Sequence, residues 1–220
     1  MEELLIPAPL AEIDPDRQDL SYPALVSRRF AGTFPVDEWG FDRDLTLVLA
    51  PFANLLPRPR LLGAARVPEV GPALVITDRW VGLAGRMVLA TLLAGATGRP
   101  VRFAGVPDVA PVGPLLRRLG GVPGNLHDLR SLLRAGQVVV SSCGFDPRQP
   151  FGAGRPPEAV LAVAMSMGAP VVPAGVASCL PGQFSQVTLH EPVRTSGESA
   201  PGTVEQLVVL LAQRWAASPT

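Results

Sequence analysis

Short, unbroken apolar runs alternate along this chain with longer segments whose apolar residues recur at helical spacing. Ala73-Leu74-Val75-Ile76, Val101–Ala104, Val138-Val139-Val140 and Val171–Val176 are runs of the first kind. They are too short for helices and continuously apolar, which marks strands buried on both faces. Helices are predicted over Val81–Ala96, Pro114–Leu119, Leu126–Ala135, Glu158–Met167 and Val204–Trp215. Gly98, Gly136 and Gly168 stand where three of them end, and Asn125 stands at the N-cap of the third. In the last, Val204, Leu207, Val208, Leu211 and Trp215 share a face. Leu61–Val67 reads as a short weak strand and Gln186–Leu189 as an edge strand. Gly120-Gly121-Val122-Pro123 reads as a break, and Ser141–Pro157 as a long loop.

Alternating strands and helices predict an α/β fold, with a mixed sheet flanked by helices in one domain. That domain spans residues 37–217. Before it, residues 1–36 carry Pro7, Pro9, Pro15, Pro23 and Pro35 among mixed charges, the pattern of an extended arm. The acidic segment Asp37–Asp42 leads into a helix through Leu45, Leu49 and Leu56, which Pro51 kinks or ends. No internal repeat is present.

Composition narrows the chemistry. The chain has 220 residues, and its 19 basic residues, all Arg, offset 19 acidic ones. A net charge of zero leaves nothing to hold a polyanion, so nucleic acid is not the expected partner. The absence of Lys excludes a Schiff base and a lysine-bearing phosphate loop. Cys143 and Cys179 have neither disulfide-framework nor zinc-site spacing, so no metal or cofactor is implied. The N-terminus is acidic and proline-broken, unlike a secretory signal. Prolines 170, 173 and 181 interrupt the longest uncharged stretch, so no transmembrane segment is expected. The expected location is cytoplasmic, with at most a peripheral place at a membrane.

Chemistry in such a sheet belongs beyond the carboxyl ends of the strands. Three ends carry candidates: Thr77-Asp78-Arg79-Trp80, Ser141-Ser142-Cys143-Gly144-Phe145 and Pro173-Ala174-Gly175-Val176. Cys143 before Gly144 resembles a nucleophile turn that His190 could serve, against the plainer reading of a buried filler thiol. His190 and His127 otherwise read as surface residues, and Arg117-Arg118 as a solvated pair or a phosphate contact.

From Trp39 to Val176 the chain resembles the PlsC-like glycerophospholipid acyltransferases. The ordered likeness runs through Trp39-Gly40-Phe41-Asp42, Gly71–Ile76, Gly113–Pro123, Leu132–Val140 and Gly168–Val176. The family's chemistry uses a His, with an Asp five residues later, to take a proton from the acceptor hydroxyl. Here Asp78 stands at the His position and Leu83 at the Asp position. The family's Phe-Pro-Glu-Gly becomes Ser141-Ser142-Cys143-Gly144, with Cys143 at the Glu position. Gly124-Asn125 stands where an Arg is expected.

The resemblance thus implies a divergent member, catalytically impaired or inactive, that binds an acyl chain or lysolipid in the family's cleft. Its substrate-binding residues would be Thr77, Arg79, Trp80, Gly144, Phe145 and Pro173. The alternative is an active acyltransferase that moves an acyl group from a thioester (acyl-CoA or acyl carrier protein) to a lysophospholipid or related alcohol. A protein partner is a further expectation. Apolar surface near the cleft would come from Trp39, Phe41, Phe52, Trp80 and Leu83.

Overall fold

The apolar runs assemble into one sheet. A computed structural model describes residues 21–32, 36–46, 59–144, 154–180, 183–198 and 200–216. Its strands are β1 (Arg60–Leu62), β2 (Ala73–Thr77), β3 (Val101–Val106), β4 (Gly121–Pro123), β5 (Val138–Ser142), β6 (Val171–Leu180) and β7 (Gln183–Leu189). They lie in the order β1-β7-β6-β2-β5-β3-β4. β4, β3, β5, β2 and β6 are mutually parallel, β7 is antiparallel to β6, and β1 is parallel to β7.

Continuous apolar sequence is what a central parallel strand requires, because alternate side chains enter two different cores. Ala73 and Val75 of β2, Val138 and Val140 of β5, and Val172 and Ala174 of β6 join one core. Leu74 and Ile76, Val139, and Val171 join the other. Helix α2 (Gly82–Thr97) covers the first face with Leu89, Ala90 and Leu93. The second face is covered by α4 (Leu126–Arg134), α5 (Glu158–Ser166) and α6 (Val204–Ala216). Two further helices are α1 (Tyr22–Phe30) and α3 (Val112–Arg118).

Local signals fix the ends of these elements. Gly98 ends α2 in the left-handed region at φ 67°, and its N–H donates to the Ala94 carbonyl. The Asn125 side chain caps α4 by accepting from the Asp128 N–H at 2.7 Å, and it donates in return to the Asp128 carboxylate at 2.8 Å. Arg99 gathers the amino-edge turns: its guanidinium donates to the carbonyls of Pro68, Gly71 and Gly136.

Two expectations need correction. Gln186–Leu189 is no edge, because β1 pairs outside it with Leu61 opposite Val187. Gly120–Pro123 does not merely break the chain; it supplies β4, the edge opposite β1. A Cβ on Gly121 would lie 2.4 Å from Val106 and 2.8 Å from the Leu116 carbonyl, so only glycine lets this edge close. Within residues 1–36 the described part includes α1, on which Leu25 is buried. The helix expected through Leu45–Leu56 lies mostly outside the described residues.

Candidate functional site at the carboxyl ends of the strands

Register brings the three sequence-selected strand ends together. Thr77 of β2 lies opposite Ser142 of β5 on one side and Ala174 of β6 on the other. One step further, Asp78, Cys143 and Gly175 form the next row. Thr77 is fully buried, and its hydroxyl donates to the Arg79 carbonyl at 2.7 Å, which turns the chain out of the sheet. Trp80 is half-buried and folds over Gly82, where an added Cβ would lie 3.5 Å from its ring. Pro173 is buried within β6, and its carbonyl accepts the His190 N–H at 2.8 Å. Phe145 lies outside the described residues.

Asp78 is the hinge of this arrangement. Its N–H donates to the Ala174 carbonyl at 2.9 Å, continuing the β2–β6 ladder. Its carboxylate Oδ1 then accepts the Val176 N–H at 3.1 Å. Oδ2 accepts from Arg79 Nη2, also at 3.1 Å, in an ion pair whose Asp side chain is 13% exposed. The carboxylate therefore does the work of a backbone carbonyl and ends the ladder. Each oxygen thus carries a bond that belongs to the fold, Oδ1 to β6 and Oδ2 to Arg79.

The chain itself crosses these strand ends. The Gly154 N–H donates to the Asp78 carbonyl at 2.8 Å, and the Gly144 N–H donates to the Arg155 carbonyl at 3.1 Å. Gly154 and Arg155 thereby bridge the ends of β2 and β5. A Cβ on Gly154 would lie 2.5 Å from the Cβ of Cys143, a separation no real side chain tolerates. Sequence reading leaves this residue in a loop, within Gly152-Ala153-Gly154-Arg155, which lacks the strand-to-helix context of a dinucleotide fingerprint. Its signal is weak: one glycine beside an arginine, in a segment whose partner residues are distant in sequence.

Cys143 is buried, and burial together with the Asp78 charge pushes its thiol up to about 12. It holds no thiolate near neutrality and lacks the character of a nucleophile. Nor does His190 serve it. Leu189 lies opposite Ala174, Ala174 opposite Thr77, and Thr77 opposite Ser142. His190 is therefore three strands from Cys143, roughly 14 Å at normal strand spacing, and one row toward the opposite edge. His190 is also buried rather than on the surface, and its pKa is lowered, first by burial and then by Arg66. His127 is exposed on α4.

Arg86 of α2 is a cation at the same edge that sequence reading missed. Its Nε donates to the Gly82 carbonyl at 3.0 Å and its Nη1 to the Ala104 carbonyl. An added Cβ on Gly105, which has φ 87°, would lie 2.3 Å from that guanidinium. Arg117 is paired with Asp108. Among the described residues no group of three or more His, Cys, Asp or Glu is placed to hold a metal.

A groove of about 670 Å³ opens elsewhere, at the amino edge of the sheet, among Arg66, Pro68, Pro170, Glu191, Arg194 and Ser196. No helix among the described residues is long and apolar enough to cross a membrane.

No protein-family model and no curated protein sequence matches this chain. A solved structure that it resembles is the 1-acyl-sn-glycerophosphate (LPA) acyltransferase PlsC from Thermotoga maritima. The two share 16% identity over 90% of this chain and 89% of that one, with a TM-score of 0.57. The chain has a PlsC-like acyltransferase fold. At that identity the likeness carries architecture, and function has to be argued from the site.

Proposed function

We propose that this protein is a divergent member of the PlsC-like acyltransferases, using the fold to bind an acyl chain or lysolipid without transferring the acyl group. The observation that carries this reading is the engagement of Asp78. In the sequence likeness Asp78 takes the place of the proton-accepting His. Its carboxylate is held by the Val176 N–H and the Arg79 guanidinium, and the Gly154 N–H closes on its carbonyl. A general base needs a free lone pair facing the acceptor hydroxyl, and losing the base costs about 10²–10⁴ in rate. Cys143, the other reactive group at these strand ends, is protonated near neutrality.

Lipid as the ligand class rests on the fold's likeness to an enzyme of lysophosphatidate. The test uses the purified full chain with a soluble short-chain lysophosphatidate and an acyl-CoA. Saturable lysolipid binding by calorimetry, with no diacyl product above background, is the expected result. Turnover that Asp78→Asn abolishes would establish an active transferase instead. Absence of lysolipid binding would remove the lipid reading.

A further inference from the structure

Of the residues picked from sequence as apolar surface, Trp39, Phe41, Trp80 and Leu83 are half-buried and Phe52 lies outside the described residues. Trp39 and Leu83 pack against the two cores, and Phe41 lies beneath the Arg102 guanidinium, 4.5 Å from its ring centre. Exposed apolar surface gathers instead where β3 leaves the sheet at its carboxyl edge. Every residue from Pro107 to Val112 is exposed, as are Pro114 and Leu115. Val109, Val112 and Leu115 are 66%, 50% and 53% exposed. Val112 and Leu115, three apart in α3, share one side of that helix, and Val109 precedes it by three residues.

We propose that this ridge, residues 107–115, is the surface by which the protein lies on a lipid bilayer, its three large apolar side chains entering the headgroup–acyl boundary. The inference rests on the lipid reading above. Backbone chemistry favours a bilayer over an added β-strand or a polar partner. Pro107, Pro111 and Pro114 have no N–H to leave unpaired in an apolar medium. The Gly113 N–H is satisfied by the Val109 carbonyl at 2.7 Å. Proline-rich backbone of this kind cannot pair with a strand.

Charge agrees. The ridge carries one acid, Asp108, and Arg117 neutralises it. Residues 107–115 hold no other acid and no basic residue, so nothing in the ridge makes the contact depend on anionic lipid. Gly113 holds the ridge compact: an added Cβ there would lie 2.7 Å from the Pro107 carbonyl. The ridge follows β3 on the carboxyl edge of the sheet, the same edge as Asp78 and Cys143. Lipid held at the ridge would be on the side of the sheet where the strand ends open.

The test is flotation of the full chain with phosphatidylcholine vesicles at low and at high salt. Wild-type protein is expected to float at both. The triple variant Val109→Ser/Val112→Ser/Leu115→Ser should lose at least about tenfold in partitioning, since interfacial binding scales with buried apolar area. All three positions are exposed, so the variant should melt like wild type. A control variant, Val70→Ser/Val209→Ser, removes exposed apolar residues 85% and 55% accessible elsewhere and should float unchanged. Equal flotation of triple variant and wild type overturns the inference, as does binding that needs anionic lipid and vanishes in salt. Failure to float with soluble lysolipid binding intact removes the ridge alone; loss of both removes the lipid reading with it.

Discussion

The Asp78 carboxylate accepts the backbone N–H of Val176 at 3.1 Å, tying the first residue beyond β2 to the middle of β6. A side chain here completes a ladder that backbone would otherwise complete. Asp78→Ala should therefore leave a buried N–H without its acceptor and lower stability by about 1–3 kcal/mol. Asp78→Asn keeps an acceptor oxygen and should cost less. Urea unfolding of the two variants checks the order; equal losses would mean that the Arg79 pair, not the Val176 bond, carries the effect.

Restoring the family's residues should not restore its chemistry. Asp78→His with Leu83→Asp should yield no acyl transfer, because Gly154 and Arg155 still bridge the ends of β2 and β5. Product formation from acyl-CoA and lysophosphatidate by the double variant would show that the bridge leaves the acceptor hydroxyl room.

Gly154 and Cys143 should be energetically coupled. Gly154→Ala places a methyl 2.5 Å from the Cys143 Cβ, an overpacking that costs about 1–3 kcal/mol. In a Cys143→Gly background that Cβ is gone, and most of the added cost should disappear. A double-mutant cycle by denaturant unfolding measures this, and additive losses would place the strain elsewhere.

The buried thiol sets an alkaline limit. Cys143 titrates at about 12 in the folded chain against an ordinary 9.0. The folded state thus binds its proton more tightly. The contribution is fully present below pH 9.0 and is lost as pH rises toward about 12. Unfolding followed across that window should show the decline, and Cys143→Ala should flatten it. In a Cys179→Ser background, native protein should react slowly with a thiol reagent and rapidly once unfolded.

His190 sets an acid limit of opposite sign. Burial and the Arg66 charge lower its pKa below the usual 6.5, while Asp78 opposes them and Arg214 assists. The unfolded chain takes up the proton first, so the contribution is present above pH 6.5 and is lost as pH falls. Thermal unfolding from pH 8 to pH 5 should show this loss. His190→Gln should reduce it, and so should Arg66→Gln by removing one cause.

The Asp37–Arg102 pair docks the segment before β1 onto the sheet. Arg102 is 2% exposed, and its Nε and Nη1 have no hydrogen-bond partner. Removing Asp37 strands that buried charge, whereas removing the arginine strands only a partly exposed acid. Asp37→Ala should therefore destabilise more than Arg102→Met. The reverse order in chemical unfolding would mean that packing of the arginine stem over Phe41 outweighs its charge.

Sequence alone determined the α/β class of this protein and its central strands. Unbroken runs such as Val138-Val139-Val140 can satisfy burial only in a strand covered on both faces, and the glycine stops and the Asn125 cap act within a turn of where they stand. The three strand ends of the candidate site were legible for the same reason, since a parallel sheet brings them to one edge. Tertiary structure decided what those ends can do. The Asp78–Val176 and Gly154–Asp78 bonds join residues far apart in the chain, and the sheet holds Cys143 and His190 apart. Strand order and register, not local pattern, place them. Exposure was equally beyond local reading: Trp39 and Val112 are both apolar, but only a folded core can cover one and leave the other in water.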